Sequence, residues 1–168
     1  LVAFKLDAKK KRYKNWSELM NYCKYSANPV GRFFINLTYH VRKKKINNRN
    51  IIFQGADNLC TALQIINHLQ DCQKDYIYLD RVYLPMSYFN KYSIKVDVLK
   101  RNKNNSKFND LKKLVIDRVE KLLEDSKKGI DLIEIGRLKK ETLIIFNIAK
   151  RLCFLLKKNN PLEKKIKL

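Results

Sequence analysis

The stretch NLCTALQIINHLQDCQKDYIY, residues 58–78, combines an apolar helical pattern with a line of polar side chains. Its apolar residues recur at helical spacing and cover most of the circumference, which predicts a helix buried on several sides. Four polar residues nevertheless follow one another at spacings of three, four and four, which places them on one face. They are Gln64, Asn67, Asp71 and Asp75. The segment therefore predicts a helical fold in which one buried helix carries a polar stripe.

The two acids that end this stripe have the spacing of a shared cation site. Carboxylates at positions i and i+4 of a helix have Cβ atoms about 5–6 Å apart. Mg²⁺ commonly takes only one or two protein carboxylates and completes its octahedron with water and substrate phosphate. A plainer interpretation is a solvated helix end, with Asp71 and Asp75 paired to Lys74 or another lysine. Gln64 and Asn67 weigh against it, because burying four polar groups without a ligand is costly.

Helix is the default prediction for the rest of the chain, since Gly and Pro number only four and three. Asn15 and Glu18 have the spacing of a capping box, and Pro29 ends or kinks the helix that they start. A second helix is predicted over VGRFFINLTYHV, residues 30–41, followed by a basic loop at 42–50. We expect Asp57 to cap the helix at 58–78. These signals favour one all-α domain over residues 1–168.

Three more helices are predicted in the second half of the chain. Pro85 and Ser87 mark the start of a short one, and residues 100–110, KRNKNNSKFND, read as a polar loop. Two apolar sets at helical spacing then predict longer helices. The sets are Leu111, Leu114, Val115, Val119, Leu122 and Leu123, and Leu143, Ile144, Ile148, Leu152 and Leu155.

Composition narrows the functional classes. The formal net charge of +21 would suit nucleic acid or an anionic membrane surface. Lysine supplies most of that charge, however, whereas proteins that read bases rely on arginine, so nucleic acid is disfavoured. Four scattered cysteines and two histidines provide no zinc spacing and suggest a reducing, cytoplasmic setting. No secretory signal is predicted, and no apolar run reaches the roughly 20 residues of a membrane span.

Two blocks of the chain resemble the squalene/phytoene synthase family. QIINHLQDCQKDYIYLDRVYLP, residues 64–85, is similar to its second aspartate-rich region, Gln-x-x-Asn-x-x-x-Asp-x-x-x-Asp, followed after a short loop by Arg and Tyr-Leu-Pro. YCKYSANPVGRFFINL, residues 22–37, is similar to its Tyr-Cys-x-x-x-Ala-x-x-Val-Gly segment. The Ser-Ala-Asn-Pro-Val-Gly-Arg form, with Gln70 before Asp71, resembles the hydroxysqualene synthase branch of bacterial hopanoid biosynthesis. The resemblance covers most of the chain and implies an isoprenoid synthase-type helical bundle.

This resemblance implies a Mg²⁺ site that holds a prenyl diphosphate. The metal ligands would be Asp71, Asp75 and Asn67, with Gln64 as a further polar position on the same helix. Arg81 matches the arginine that contacts diphosphate, a role that suits a bidentate guanidinium.

The second block implies the residues around the prenyl chain. Tyr25 matches an active-site tyrosine near the developing carbocation, and Tyr22 is either a substrate-binding or a core residue. Val30 and Gly31 would line the prenyl channel, Gly31 by letting two helices approach closely. The implied substrate is farnesyl or presqualene diphosphate, ionised with the help of Mg²⁺.

The sequence departs from the family pattern at two places. No first aspartate-rich motif precedes Asn15, and neither Asp7 nor the acids at 117–125 replace it. Asp80 also stands where the family usually has Gly before the loop arginine. The chain resembles the C-terminal half to two-thirds of a longer enzyme, and we expect it to be inactive alone.

Two other interpretations stay open. One is a non-catalytic basic helical module that binds nucleic acid or an anionic membrane surface through its lysines. The other is compatible with the enzyme: the tail KKNNPLEKKIKL, residues 157–168, would give it a peripheral membrane contact. The simpler view of that tail is a solvated end of the last core helix.

Overall fold

A computed structural model describes residues 2–101, 105–163 and 166, and it confirms the all-α fold class. The described part of the chain forms eight α-helices, one 3₁₀ helix and no strand apart from a single bridge. The helices are α1 (Val2–Lys9), α2 (Trp16–Ser26), α3 (Asn28–Val41), α4 (Arg49–Gln70), α5 (Cys72–Leu79), α6 (Met86–Lys91), α7 (Ser106–Asp131) and α8 (Gly136–Lys158), and the 3₁₀ helix is Val96–Lys100. No helix among these residues is both long and apolar enough to span a membrane.

Helix α4 is the central element, and it packs against α2, α3, α7 and α8. Its buried side chains include Leu59, Ala62, Ile65, Ile66 and Leu69, which confirms the apolar pattern predicted for residues 58–78. They join the apolar face of α7 in the main core, since Leu111, Val115, Val119 and Leu123 are all buried. The core therefore fixes the orientation of α4, and with it the direction of the polar stripe.

The N-terminus of α2 has the predicted cap. The Glu18 backbone N–H donates to Asn15 Oδ1 at 3.0 Å, while the Glu18 carboxylate accepts from the backbone N–H of Lys14. The second arm of the box thus lies one residue earlier than the standard arrangement. Pro29 falls in the first turn of α3, where its missing N–H has no cost.

Replacing Asn15 with alanine should lower the free energy of unfolding by about 1 kcal/mol, because the first turn of α2 loses an acceptor for an otherwise unpaired N–H. Chemical denaturation measures this. Ser17→Ala is the matched control, since Ser17 is exposed in the same turn and should change stability little. Equal losses in the two variants would contradict the assignment of Asn15 as the cap.

The start of α4 differs from the prediction. Asp57 was expected to cap a helix that begins at residue 58, but α4 begins at Arg49, and Asp57 lies inside it. Its carboxylate pairs with the Arg32 guanidinium of α3 instead, with Arg32 Nε donating to Asp57 Oδ1 at 2.8 Å. The helix continues through Gly55, a residue that weakens helices, at the point where α4 crosses α7 closely.

Two further boundaries also need correction. The helix predicted over 58–78 is divided at Asp71, whose φ of −99° and ψ of 7° separate α4 from α5. In α8 the predicted apolar set is displaced, since Ile144 is exposed and the buried residues are Leu138, Phe146, Ala149, Cys153 and Leu156.

The polar loop at 100–110 is shortened because α7 already begins at Ser106, and residues 102–104 lie outside the described part. Residues 164, 165, 167 and 168 of the basic tail also lie outside it.

Candidate active site

The polar stripe continues from α4 into α5 despite the break at Asp71. The Asp71 N–H donates to the Asn67 carbonyl oxygen, and the Asp75 N–H donates to the Asp71 carbonyl oxygen, both at 2.9 Å. These bonds preserve the four-residue step, so the two carboxylates remain one turn apart. The side chain of Asp71 is 35% exposed and that of Asp75 is 19% exposed, so both can be reached from solvent. Asn67 is exposed one turn earlier.

The acids have only loose ionic partners. Lys74 Nζ lies 3.9 Å from Asp71 Oδ1, and His68 Nδ1 lies 3.9 Å from Asp75 Oδ2. The predicted pairing of Asp71 with Lys74 is therefore present, but at a distance that leaves the carboxylate oxygens available.

These residues fit a divalent cation as part of a ligand set. Among the described residues no three His, Cys, Asp or Glu side chains are close enough to hold a metal ion by themselves. Two carboxylates and an amide oxygen are hard oxygen donors, and Mg²⁺ needs no more from the protein when water and a diphosphate supply the remaining positions. The two carboxylates and the amide therefore suit a metal ion that binds together with an anionic substrate.

His68 lies buried directly behind the acids. Its ring stacks on Tyr83 with centroids 3.6 Å apart and an interplanar angle of 13°, and the Tyr22 ring is 5.9 Å away. Nε2 is 3.0 Å from Gln64 Nε2, so the predicted stripe residue Gln64 is turned toward this histidine. Burial lowers the pKa of His68 below its usual value, and the neighbouring Asp75 offsets part of that shift. A neutral imidazole is expected at pH 7.

Three buried tyrosines, Tyr13, Tyr22 and Tyr83, join His68 in the buried layer behind the two acids, which is called the Asp71–Asp75 wall below. Tyr22 lies 5.3 Å from Tyr13 and 5.4 Å from Tyr83, measured between ring centroids. Burial raises the pKa of Tyr22, Tyr13 and Tyr83, so all three phenols stay protonated at neutral pH. They offer hydroxyl donors and ring faces rather than charge.

Helix α1 also reaches this wall. The Tyr83 hydroxyl donates to Asp7 Oδ1 at 3.3 Å, and Arg81 Nη2 donates to the Asp7 carbonyl oxygen at 2.7 Å. Arg81 is therefore brought together with Asp7 and Tyr83, and its contact with a diphosphate stays a prediction. The sequence contains no local signal for the proximity of Asp7, since only the tertiary fold places α1 against the loop after α5.

Asp80 adopts the backbone conformation that a glycine would adopt. Its φ of 50° and ψ of 37° are left-handed, a region in which Asp is tolerated better than most residues. Its carboxylate accepts from Arg12 Nη2 at 2.6 Å and from Lys11 Nζ at 3.0 Å. The adjacent Val82 N–H donates to the Lys11 carbonyl oxygen at 2.9 Å. The loop that carries Arg81 is thus tied to residues 11–12 although the glycine is absent.

The second block contributes an apolar cleft and a separate exposed surface. Val30 and Gly31 line a cavity of about 320 Å³ between α3, α4, α7 and α8. A Cβ on Gly31 would lie 2.7 Å from Cys60 Sγ, so this glycine does allow α3 and α4 to approach closely. Tyr25 is 41% exposed, and no hydrogen bond or ring contact within the described ranges joins it to the Asp71–Asp75 wall. Of the two tyrosines in this block, only Tyr22 touches that wall.

Comparison with known proteins agrees with this architecture. The squalene/phytoene synthase family profile matches residues 1–168. The chain is 36% identical over 168 residues to a hydroxysqualene synthase of Rhodopseudomonas palustris and 32% identical to one of Sinorhizobium fredii, and it covers 55% of each. The crystal structure of squalene synthase HpnC from Alicyclobacillus acidocaldarius superposes on 94% of the chain with a TM-score of 0.80 and 25% identity, which is 56% of that protein. The chain thus spans about half the length of these relatives, and it belongs to the squalene/phytoene synthase family.

Proposed function

We propose that the chain forms the diphosphate-binding half of an isoprenoid synthase of the hydroxysqualene type. The observation that carries the proposal is the pair Asp71 and Asp75, kept one helical turn apart across the α4–α5 break and open to solvent. The substrate would be a prenyl diphosphate such as farnesyl or presqualene diphosphate. The family membership supports this class of substrate.

Each polar residue has a distinct part in the proposal. Asp71, Asp75 and Asn67 would hold Mg²⁺ through oxygen atoms, and the ion, when bound, would supply Lewis-acid stabilisation of the leaving diphosphate. Arg81 lies within the same wall, and its remaining N–H groups are suited to phosphate oxygens.

The apolar cleft supports the other half of the proposed chemistry. Val30 and Gly31 line a space whose walls are mostly apolar, which suits a prenyl chain and would keep water away from a carbocation. Tyr22 is buried against His68, behind the acids, whereas Tyr25 would need substrate or another part of the enzyme to bring it to the carbocation. The catalytic role of Tyr25 stays a prediction.

We expect the 168-residue chain to bind diphosphate but not to turn it over. It supplies one acid pair, and α3 exposes Val30, Phe33, Phe34, Leu37 and Val41 as an apolar face. Incubation with radiolabelled farnesyl diphosphate and Mg²⁺, followed by solvent extraction, is the direct test of activity. No extractable product is expected, and product formation at a rate that depends on Mg²⁺ would contradict the expected inactivity while supporting the synthase assignment.

The net charge favours a second candidate, a basic module that binds polyanions or anionic membranes. Binding of that kind weakens steeply with salt and is insensitive to Asp71. Vesicle sedimentation at 50 and 300 mM NaCl separates the two candidates. The basic module predicts strong binding to anionic vesicles at 50 mM NaCl that falls steeply at 300 mM and is the same in Asp71→Asn. The synthase assignment predicts little vesicle binding at either salt concentration, beyond a peripheral contact suited to a cytoplasmic enzyme.

A further inference from the structure

We propose that His68 is a positioning residue for Asp75, donating the proton on its Nδ1 to the Asp75 carboxylate. The inference rests on the proposed function, because its consequence is the affinity of the Asp71–Asp75 site for Mg²⁺.

The first observation concerns Nε2 of the His68 ring. Nε2 of His68 is 3.0 Å from Gln64 Nε2. An amide nitrogen can only donate, so His68 Nε2 must be the acceptor, and in a neutral ring the single proton must then be on Nδ1.

The second observation leads to the same tautomer from the opposite side of the ring. Nδ1 is buried and has no hydrogen-bond partner among the described residues, and the nearest anionic atom is Asp75 Oδ2 at 3.9 Å. If the Gln64 amide were reversed, an unprotonated Nδ1 would face a carboxylate and both would be acceptors. Hence both neighbours favour a proton on Nδ1.

The ring is the fixed partner of this pair. It is stacked on Tyr83 at 3.6 Å and flanked by Tyr22, and only 4% of His68 is exposed. The Asp75 side chain is looser, being 19% exposed and joined to no lysine or arginine in the described ranges. A hydrogen bond of normal length requires Asp75 to move about 1 Å toward the ring, which is within the reach of its side-chain torsions.

Such a bond would act like the hydrogen bonds that orient metal-binding side chains in other proteins. It would select one orientation of the Asp75 carboxylate and leave the second oxygen directed toward the ion, and loss of such partners typically costs 10–100-fold in metal affinity. The buried donor and the stack on Tyr83 together explain why a polar ring occupies this core position.

The tautomer can be measured directly on the unsubstituted protein. The chain has two histidines, and the other, His40, is exposed on α3, so His40→Gln assigns the signals. Two-bond ¹H–¹⁵N spectra at pH 7.5 without metal should show His68 neutral and protonated on Nδ1. Protonation on Nε2 alone would overturn the proposal whatever the protein binds.

The role of the bond is tested by a matched pair of variants. His68→Phe keeps the stack on Tyr83 but removes both nitrogens, whereas His68→Asn retains a donor where Nδ1 lies. The readout is the Mg²⁺ concentration that half-saturates binding of a non-hydrolysable farnesyl diphosphate analogue. It should rise roughly 10–100-fold in His68→Phe and return to within about threefold of the unsubstituted protein in His68→Asn. Circular dichroism checks that both variants are folded, and the tautomer measurement decides the proposal if they are not.

The outcomes separate this inference from the proposed function. Binding that never depends on Mg²⁺ in the unsubstituted protein removes the site and the role of His68 with it. Mg²⁺-dependent binding that His68→Phe leaves unchanged, or that His68→Asn fails to restore, overturns only the role of His68.

Discussion

Gly129→Ala is expected to destabilise the protein by about 3 kcal/mol, the upper end of the usual cost of overpacking a core. A Cβ at this position would lie 2.5 Å from the Ile51 carbonyl oxygen and 2.8 Å from the Gly55 Cα. Both neighbours are backbone atoms of α4, so no side chain can rotate away, and α4 and α7 must separate instead. In a chain of this size the loss corresponds to a drop in melting temperature of roughly 6–12 °C.

The same chain provides the control. Gly136 begins α8, and an added Cβ there would meet nothing within 4 Å. Gly136→Ala should therefore leave the melting temperature unchanged or slightly higher, since alanine favours helix. Similar melting temperatures for the two variants would mean that α4 and α7 do not cross at the Gly55–Gly129 contact.

Asp71→Asn/Asp75→Asn is expected to weaken Mg²⁺-dependent binding of pyrophosphate by at least 100-fold. The substitutions remove both anionic ligands from the site, which should cost at least as much as losing outer-shell partners of a metal. Neither carboxylate is held by a close ion pair, so the fold should tolerate the change. Equilibrium dialysis with labelled pyrophosphate, in the presence and absence of Mg²⁺, measures the effect.

The control for this pair must make the same charge change elsewhere. Asp117→Asn/Asp125→Asn also removes two carboxylates, both exposed on α7. Asp117 pairs with Lys157 of α8, and Asp125 pairs with Lys121 of α7. It should leave pyrophosphate binding unchanged. If both double variants bind pyrophosphate more tightly than the unsubstituted protein, binding follows overall charge and the basic-module interpretation is favoured.

The sequence predicted the features that depend on local chemistry. The cap at Asn15, the apolar faces of α4 and α7, and the i, i+4 spacing of Asp71 and Asp75 each depend on residues within two turns of one another. Such patterns survive in the fold because the main core and the local helix geometry favour the same orientation.

The incorrect predictions concern helix boundaries and buried faces that are determined by contacts between residues distant in sequence. Asp57 has the chemistry of a helix cap, but it lies inside α4 and its carboxylate pairs with Arg32, 25 residues earlier. Ile144 has the right spacing for a buried face, yet the position of α8 on the core exposes it. A periodic pattern alone does not indicate which neighbouring face is covered.

The wall behind the acids was also beyond local prediction. His68, Tyr83 and Asp7 come from α4, from the loop after α5 and from α1. His68 carries no helical pattern that separates a functional histidine from a core one, and Tyr83 was only part of a family motif. Their assembly depends on backbone hydrogen bonds between residues 11–14 and 82–87. In one of these bonds the Met86 N–H donates to the Tyr13 carbonyl oxygen at 2.8 Å.

The proposed function requires the acids at the α4–α5 junction to bind a diphosphate through Mg²⁺. Calorimetric titration of the unsubstituted protein with a non-hydrolysable farnesyl diphosphate analogue, in Mg²⁺ and again in EDTA at the same ionic strength, tests it most directly. We predict saturable binding of one analogue in Mg²⁺ and none in EDTA. Binding of equal strength in both buffers would contradict the claim and leave Asp71 and Asp75 as structural residues.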